Sequence, residues 1–256
     1  MQPTDRVHTN RTRAESFGAV ADAYDRARPS YPPALIDDLL AAAPADALDV
    51  GCGTGKAARL LAERGVPVLG IELDARMADI ARAHGIAVDI GTFEQWDAAG
   101  RRFDLIVSGQ AWHWIDPDAG AAKAAALLRA GGLLAPFWNV SSVDAGMRTR
   151  IDAAYARVAP QVTDRSVVRS GGPATIPPAA DQLRASGLFA SVEHRRYPWE
   201  REYTRDEWLA LIRTHSDHST LPAGQLAALV DAVGAAIGNE PVHAHYVTQA
   251  IFARRD

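Results

Sequence analysis

The residues with the most telling spacing form one run, Leu48-Asp49-Val50-Gly51-Cys52-Gly53-Thr54-Gly55-Lys56. Glycines at every second position let the chain turn sharply and let a ligand approach the backbone. A phosphate-cradling loop needs Gly, four residues, then Gly-Lys-Ser/Thr. Here Ala57 follows Gly55-Lys56, and Val50 occupies the place of the first glycine, so that pattern fails twice. A dinucleotide fingerprint needs G-x-G-x-x-G. Counted from Gly51 its third glycine falls at Lys56; counted from Gly53 it falls at Ala58, the tolerated alanine ending. Asp49 weighs against both uses, because a carboxylate at the strand end repels a pyrophosphate. It suits a cationic group.

S-adenosylmethionine carries a sulfonium and an α-ammonium and has no phosphate. Asp49 with Gly51, Gly53 and Gly55 resembles the first motif of the class I S-adenosylmethionine-dependent methyltransferases. The resemblance covers residues 47–138 and implies a role for each matching position. Glu72 closes Val68-Leu69-Gly70-Ile71-Glu72, and an acid there accepts hydrogen bonds from both ribose hydroxyls. Leu73 and Met77 flank the adenine. Gly91-Thr92-Phe93-Glu94 lies along the adenine edge, with Glu94 accepting the exocyclic amine. The stretch from Phe103 to Trp114 is similar to the fourth strand and the loop after it. That places Ser108 and Gln110 at the carboxyl end of a strand, where open α/β sheets bind ligands. Arg129-Ala130-Gly131-Gly132-Leu133-Leu134 resembles the turn into the fifth strand.

Upstream, Tyr24-Asp25-Arg26-Ala27-Arg28-Pro29-Ser30-Tyr31-Pro32 is similar to the YDxxRPxYP entrance of one small-molecule branch, which includes proteins like trans-aconitate methyltransferase. The resemblance implies that Arg28 pairs with the cofactor carboxylate in a charge-assisted contact and that Tyr24 hydrogen-bonds the same group. Plain packing of Tyr24 and Tyr31 is the alternative.

On the acceptor side, a neutral histidine takes a proton near pH 7. His113 stands between Trp112 and Trp114, whose rings would wall an acceptor and a sulfonium. An aromatic-rich turn that only packs is the competing role. Thr214-His215-Ser216-Asp217-His218-Ser219 is a second polar cluster, and there His215 and His218 are expected to contact the acceptor. Imidazole and carboxylate are common metal ligands, but no fourth ligand follows at a recognised spacing, so no metal is expected. A plain polar loop remains open.

The elements that must position these groups alternate. Helices are expected at 17–28 and 33–43, the first stopped by Pro29. Strands at 47–50, 68–72, 86–90, 103–108 and 133–138 alternate with helices at 56–64, 75–84 and 119–129, which implies a parallel sheet. A helix at 144–158, a loop over 160–180 and a helix at 180–186 follow. Then come a strand at 191–199, helices at 205–214 and 224–237, and a last strand at 242–254. The fold class is therefore α/β: Rossmann-like, mostly parallel, with a helical cap and, by the resemblance, an antiparallel last strand. One domain over 1–256 is expected, with 1–46 as lid helices, 47–138 as cofactor-binding core and 139–256 as cap helices and last strands.

The 256 residues carry 31 acidic and 27 basic side chains, for a net charge of −4. That argues against a dedicated duplex-binding protein. A single cysteine, Cys52, excludes an internal disulfide framework and fits a reducing cytoplasm. No run of 18 apolar residues predicts a membrane span. Small-molecule methylation, preferably at oxygen, by a monomer or homodimer is the expected activity. A nicotinamide-dependent oxidoreductase and a non-catalytic cofactor-binding module are the alternatives.

Overall fold

The computed structural model describes residues 21–163, 178–215, 217–218 and 221–256. The expected polar tail, Phe17 and Val20 lie outside them. The described residues open with α1 (Ala21–Ala27) and α2 (Pro33–Leu40), the latter started by proline at its first turn. Five strands and three helices follow: β1 (Ala47–Val50), α3 (Lys56–Ala62), β2 (Val68–Glu72), α4 (Ala75–Ala83), β3 (Ala87–Ile90), β4 (Phe103–Gly109), α5 (Pro117–Leu127) and β5 (Leu128–Val143). Then come α6 (Ala145–Val158), α7 (Pro160–Thr163), α8 (Ala179–Ala185), β6 (Ser191–Tyr203), α9 (Arg205–Arg213), α10 (Ala223–Ile237) and β7 (Val242–Arg254).

The strands form one sheet in the order β3-β2-β1-β4-β5-β7-β6. β1 pairs in parallel with β2 and β4, while β7 runs antiparallel to β5 and to β6. All four residues of β1 are buried, as a central strand covered on both faces requires. Leu48, Ile106, Leu134 and Ile251 build one core layer with Phe93 and Trp112; Leu35, Leu105, Val107 and Phe252 build the layer on the opposite side. A third cluster around Tyr155, Trp208 and Leu229 joins α6, α9 and α10 into the cap.

Two strands outrun their expected lengths. β5 continues to Val143 because Asn139–Val143 pair with Ala244–Thr248 of β7, and β6 continues to Tyr203 opposite Val242. The loop expected over 160–180 begins with a helical turn at Pro160–Thr163, and residues 164–177 lie outside those described.

Candidate active site

The strand order reverses between β1 and β4, and open α/β sheets bind ligands at that switch point beyond the carboxyl ends of the strands. The turn after β1 makes the opening. Gly51 and Gly53 hold φ of +67° and +56°, a region that side chains rarely adopt. A Cβ at Gly51 would lie 2.5 Å from the Cβ of Ala111, so the glycine is what lets the β1 and β4 turns approach.

Two adjoining cavities open there and share Tyr24, Gly51, Gly53, Gly109 and Gln110. The first, about 490 Å³, includes Arg28, Tyr31, Asp49, Lys56 and Asn139 in its lining. The second, about 1020 Å³, lies between β2 and the turns after β3 and β4, and is lined by Glu72, Leu73, Met77, Thr92, Phe93 and Glu94, with Trp114 and Ile115 beyond.

Asp49 is 1% exposed; neither carboxylate oxygen has a partner of ordinary hydrogen-bond geometry, and the Ala58 N–H at the start of the next helix is the group that favours its charged form. Burial pushes its pKa up to about 7. A buried carboxylate in that state is costly unless something cationic pairs with it. In the same cavity the Nε of Arg28 is buried without a partner, while its Nη2 donates to the carbonyl of Thr214 at 2.8 Å. The guanidinium lies 5.1 Å from the centre of the Tyr24 ring. The cavity thus offers an acceptor for a cation and a donor for an anion, the demands of a zwitterionic amino-acid group.

Glu72 closes the second cavity near the loop. Its Oε2 accepts from the Gly53 N–H at 2.8 Å and its Oε1 from Asp74 N–H at 2.9 Å. Burial raises its carboxyl. Each oxygen keeps further acceptor capacity, which vicinal hydroxyls can use. Thr92 presents a buried hydroxyl with no partner to this space. Glu94 Oε1 accepts from the Asp116 N–H at 3.0 Å, which ties the turn after β3 to the one after β4. Gln110, with φ of +61°, is one of the few non-glycine residues in the left-handed region, and its N–H donates to the carbonyl of Phe137 at 2.8 Å. Such strain clusters at functional sites.

Several residues expected at the site lie away from the two cavities. Ser108 lines neither cavity; it is wholly buried and its hydroxyl donates to the Val50 carbonyl at 2.8 Å, which clamps β4 to β1. Trp112 is 4% exposed and packs against Phe93 in the core, while Trp114 alone of the pair lines the cavity. His113 lines neither cavity, and its Nδ1 accepts from Trp138 Nε1 at 3.1 Å. The neutral ring with this bond carries its proton on Nε2.

His215 and His218 are buried and line neither cavity. The rings stack at 5.2 Å. His218 donates from Nδ1 to the Ile212 carbonyl at 2.6 Å, so its Nε2 accepts from the Tyr155 hydroxyl at 3.1 Å. The ligating atoms of His215, Asp217 and His218 lie within 4.8 Å of one another. Both nitrogens of His218 are nonetheless committed to protein partners, and burial with the nearby Arg28 charge holds His215 well below its usual pKa. The segment acts as backing for Arg28 through the Thr214 carbonyl.

Sequence reasoning missed Asn139 and gave Lys56 and Tyr31, quoted within their motifs, no ligand role of their own. Asn139 donates from Nδ2 to the Ser30 carbonyl at 2.9 Å and accepts from Thr248 Oγ1 at 2.6 Å. Its one available signal was a polar residue at the carboxyl end of the fifth strand.

The methyltransferase-domain family model matches residues 47–132. An uncharacterized methyltransferase of Mycobacterium tuberculosis is 31% identical over 240 residues, which is 93% of this chain and 91% of that protein. A protein from Anaeromyxobacter dehalogenans, assigned as a type II methyltransferase, has a structure with TM-score 0.63 and 27% identity over 89% of this chain and 97% of its own. The phosphoethanolamine N-methyltransferase 2 of Haemonchus contortus, solved with phosphomonomethylethanolamine and S-adenosylhomocysteine, shares the fold at TM-score 0.53 and 14% identity, over 97% of this chain and 59% of its own. The chain belongs to the class I S-adenosylmethionine-dependent methyltransferase family.

Proposed function

We propose that the protein transfers a methyl group from S-adenosylmethionine to a small-molecule acceptor, at oxygen. The observation that carries this is the buried carboxylate of Asp49 facing the same cavity as the unpartnered Nε of Arg28. A dinucleotide would bring phosphate to that carboxylate; an α-amino acid brings an ammonium to Asp49 and a carboxylate to Arg28 and Tyr24. Glu72 takes the ribose hydroxyls, and Leu73, Met77, Thr92, Phe93 and Glu94 hold the adenine. S-adenosylmethionine supplies a methyl group on a positively charged sulfur, which an in-line nucleophile displaces.

This chain's residues align and shield that displacement. The glycine loop, Gln110 and Tyr24 border the passage between the two cavities, and Trp114 and Ile115 keep its outer wall apolar. Support for oxygen comes from a malonyl-acyl-carrier-protein O-methyltransferase of Enterobacter lignolyticus, 35% identical over 133 residues, or 46% of this chain. Among the described residues no helix is long and apolar enough to cross a membrane. The test is transfer of labelled methyl from the donor to a panel of carboxylic acids, alcohols and amines. Label on an acid or alcohol is expected; label on amines alone would remove the oxygen assignment, and none on any class would favour a non-catalytic binder.

A further inference from the structure

We infer that Asp25, which lines neither cavity, is the positioning residue that sets Tyr24 and Arg28 over the cofactor site. The inference rests on the methyltransferase reading of that site. Like most protein helices, α1 draws its stability from tertiary anchors. Its described residues bury only Ala21 and Ala27, which supply little apolar area. Polar tethers must therefore fix it. Tyr24 and Arg28 are four residues apart, and the Arg28 N–H still donates to the Tyr24 carbonyl at 2.9 Å, so both side chains leave the same face.

Asp25 leaves the adjoining face, toward the core. Its Oδ1 accepts from Arg59 Nη2 at 2.9 Å and lies 3.9 Å from Lys56 Nζ, while its Oδ2 meets His84 Nε2 at 3.1 Å. Arg59 and Lys56 belong to α3, the helix that grows directly out of the glycine loop, and His84 caps α4. The Asp25 carboxylate is 17% exposed, so the cluster is a partly buried network and not a lone surface pair. The other tethers of this segment run elsewhere: Arg28 to Thr214 in the cap, and Ser30 to Asn139 on β5. Asp25 is thus the tether that registers the roof against the glycine loop itself, and through the loop against Asp49.

The experiment measures S-adenosylhomocysteine affinity by calorimetry, donor KM and kcat, and thermal unfolding for wild type, Asp25→Ala, Arg28→Ala and the double variant. Arg59→Ala attacks the same tether from the core side and stands in should Asp25→Ala not fold. Asp25→Ala should weaken binding by roughly tenfold or more, the scale of one charge-assisted contact. It should raise donor KM with kcat changed by less than about threefold. Because Asp25 works through Arg28 and Tyr24, the double variant should lose less affinity than the sum of the two single losses, a non-additivity that general destabilisation does not produce. Affinity in Asp25→Ala within about twofold of wild type, or additive losses in the double variant, would overturn the inference. Failure of the wild type to bind would instead overturn the cofactor reading beneath it.

Discussion

Asp49 shows how a residue's chemistry and its cost to the fold are linked. Its carboxyl is raised to about 7 by burial, against roughly 3.9 in an unfolded chain. A raised acid stabilises the fold fully below the unfolded pKa, and that contribution is lost as pH climbs through the folded pKa. The ligand-free protein should therefore lose melting temperature between about pH 4 and 7 in a component that Asp49→Asn removes. Donor binding has the opposite slope, because a cation prefers the ionised acid: affinity should rise from pH 6 to 8 and level off above. Calorimetry across that range checks it, and a flat profile would separate Asp49 from the ammonium. At His113 the Trp138 hydrogen bond sets a donor tautomer. His113→Ala should accordingly cost less than about tenfold in kcat, below the roughly 10²–10⁴ of a general base. A larger loss together with disappearance of a step near pH 6–7 would restore the proton-acceptor role. Asp49, Glu72 and the glycines stood out in the sequence because the Asp49 carboxylate beside that glycine spacing resembles a methyltransferase motif, where spacing alone left a dinucleotide loop open. The burial of Trp112 and His218 did not, since it depends on Phe93 and Tyr155, which lie far away in the chain.

Among elements, β1 and β2 were legible to the residue, because a short apolar run bounded by turn signals leaves little freedom. β5 was read too short. Its far half, Asn139-Val140-Ser141-Ser142-Val143, is polar enough to look like a loop and becomes strand only by pairing with β7. That extension also carries Asn139 into the site, which is why the residue escaped notice. The turn between β1 and α3 makes a sharper prediction. Gly53→Val places a β-branched side chain at φ of +56°, with Met77 Cε 3.5 Å from its Cβ. Strain of this kind costs roughly 1–3 kcal/mol, and the side chain would also intrude on the space between Asp49 and Glu72. Donor affinity should fall more than about a hundredfold, beyond what that strain alone explains. A variant that unfolds earlier yet binds normally would show the loop to be structural only.

Over the whole molecule, the sheet supplies the floor of the site and the chain before β1 supplies its roof. The roof is held through Asp25, Arg28 and Ser30 to three different parts of the fold. Motif spacing revealed the floor, and the tethers became visible only once α9 and β5 were seen to reach the same place. The account stands or falls on which ligand that enclosure fits. The measurement is a calorimetric titration of wild type and Asp49→Ala with S-adenosylhomocysteine and, separately, with NADH. S-adenosylhomocysteine should bind wild type at micromolar order, and Asp49→Ala should lose at least about tenfold because a charge-assisted pair disappears; NADH should give no heat. NADH binding with S-adenosylhomocysteine silent, or equal S-adenosylhomocysteine affinity in the two proteins, would contradict it.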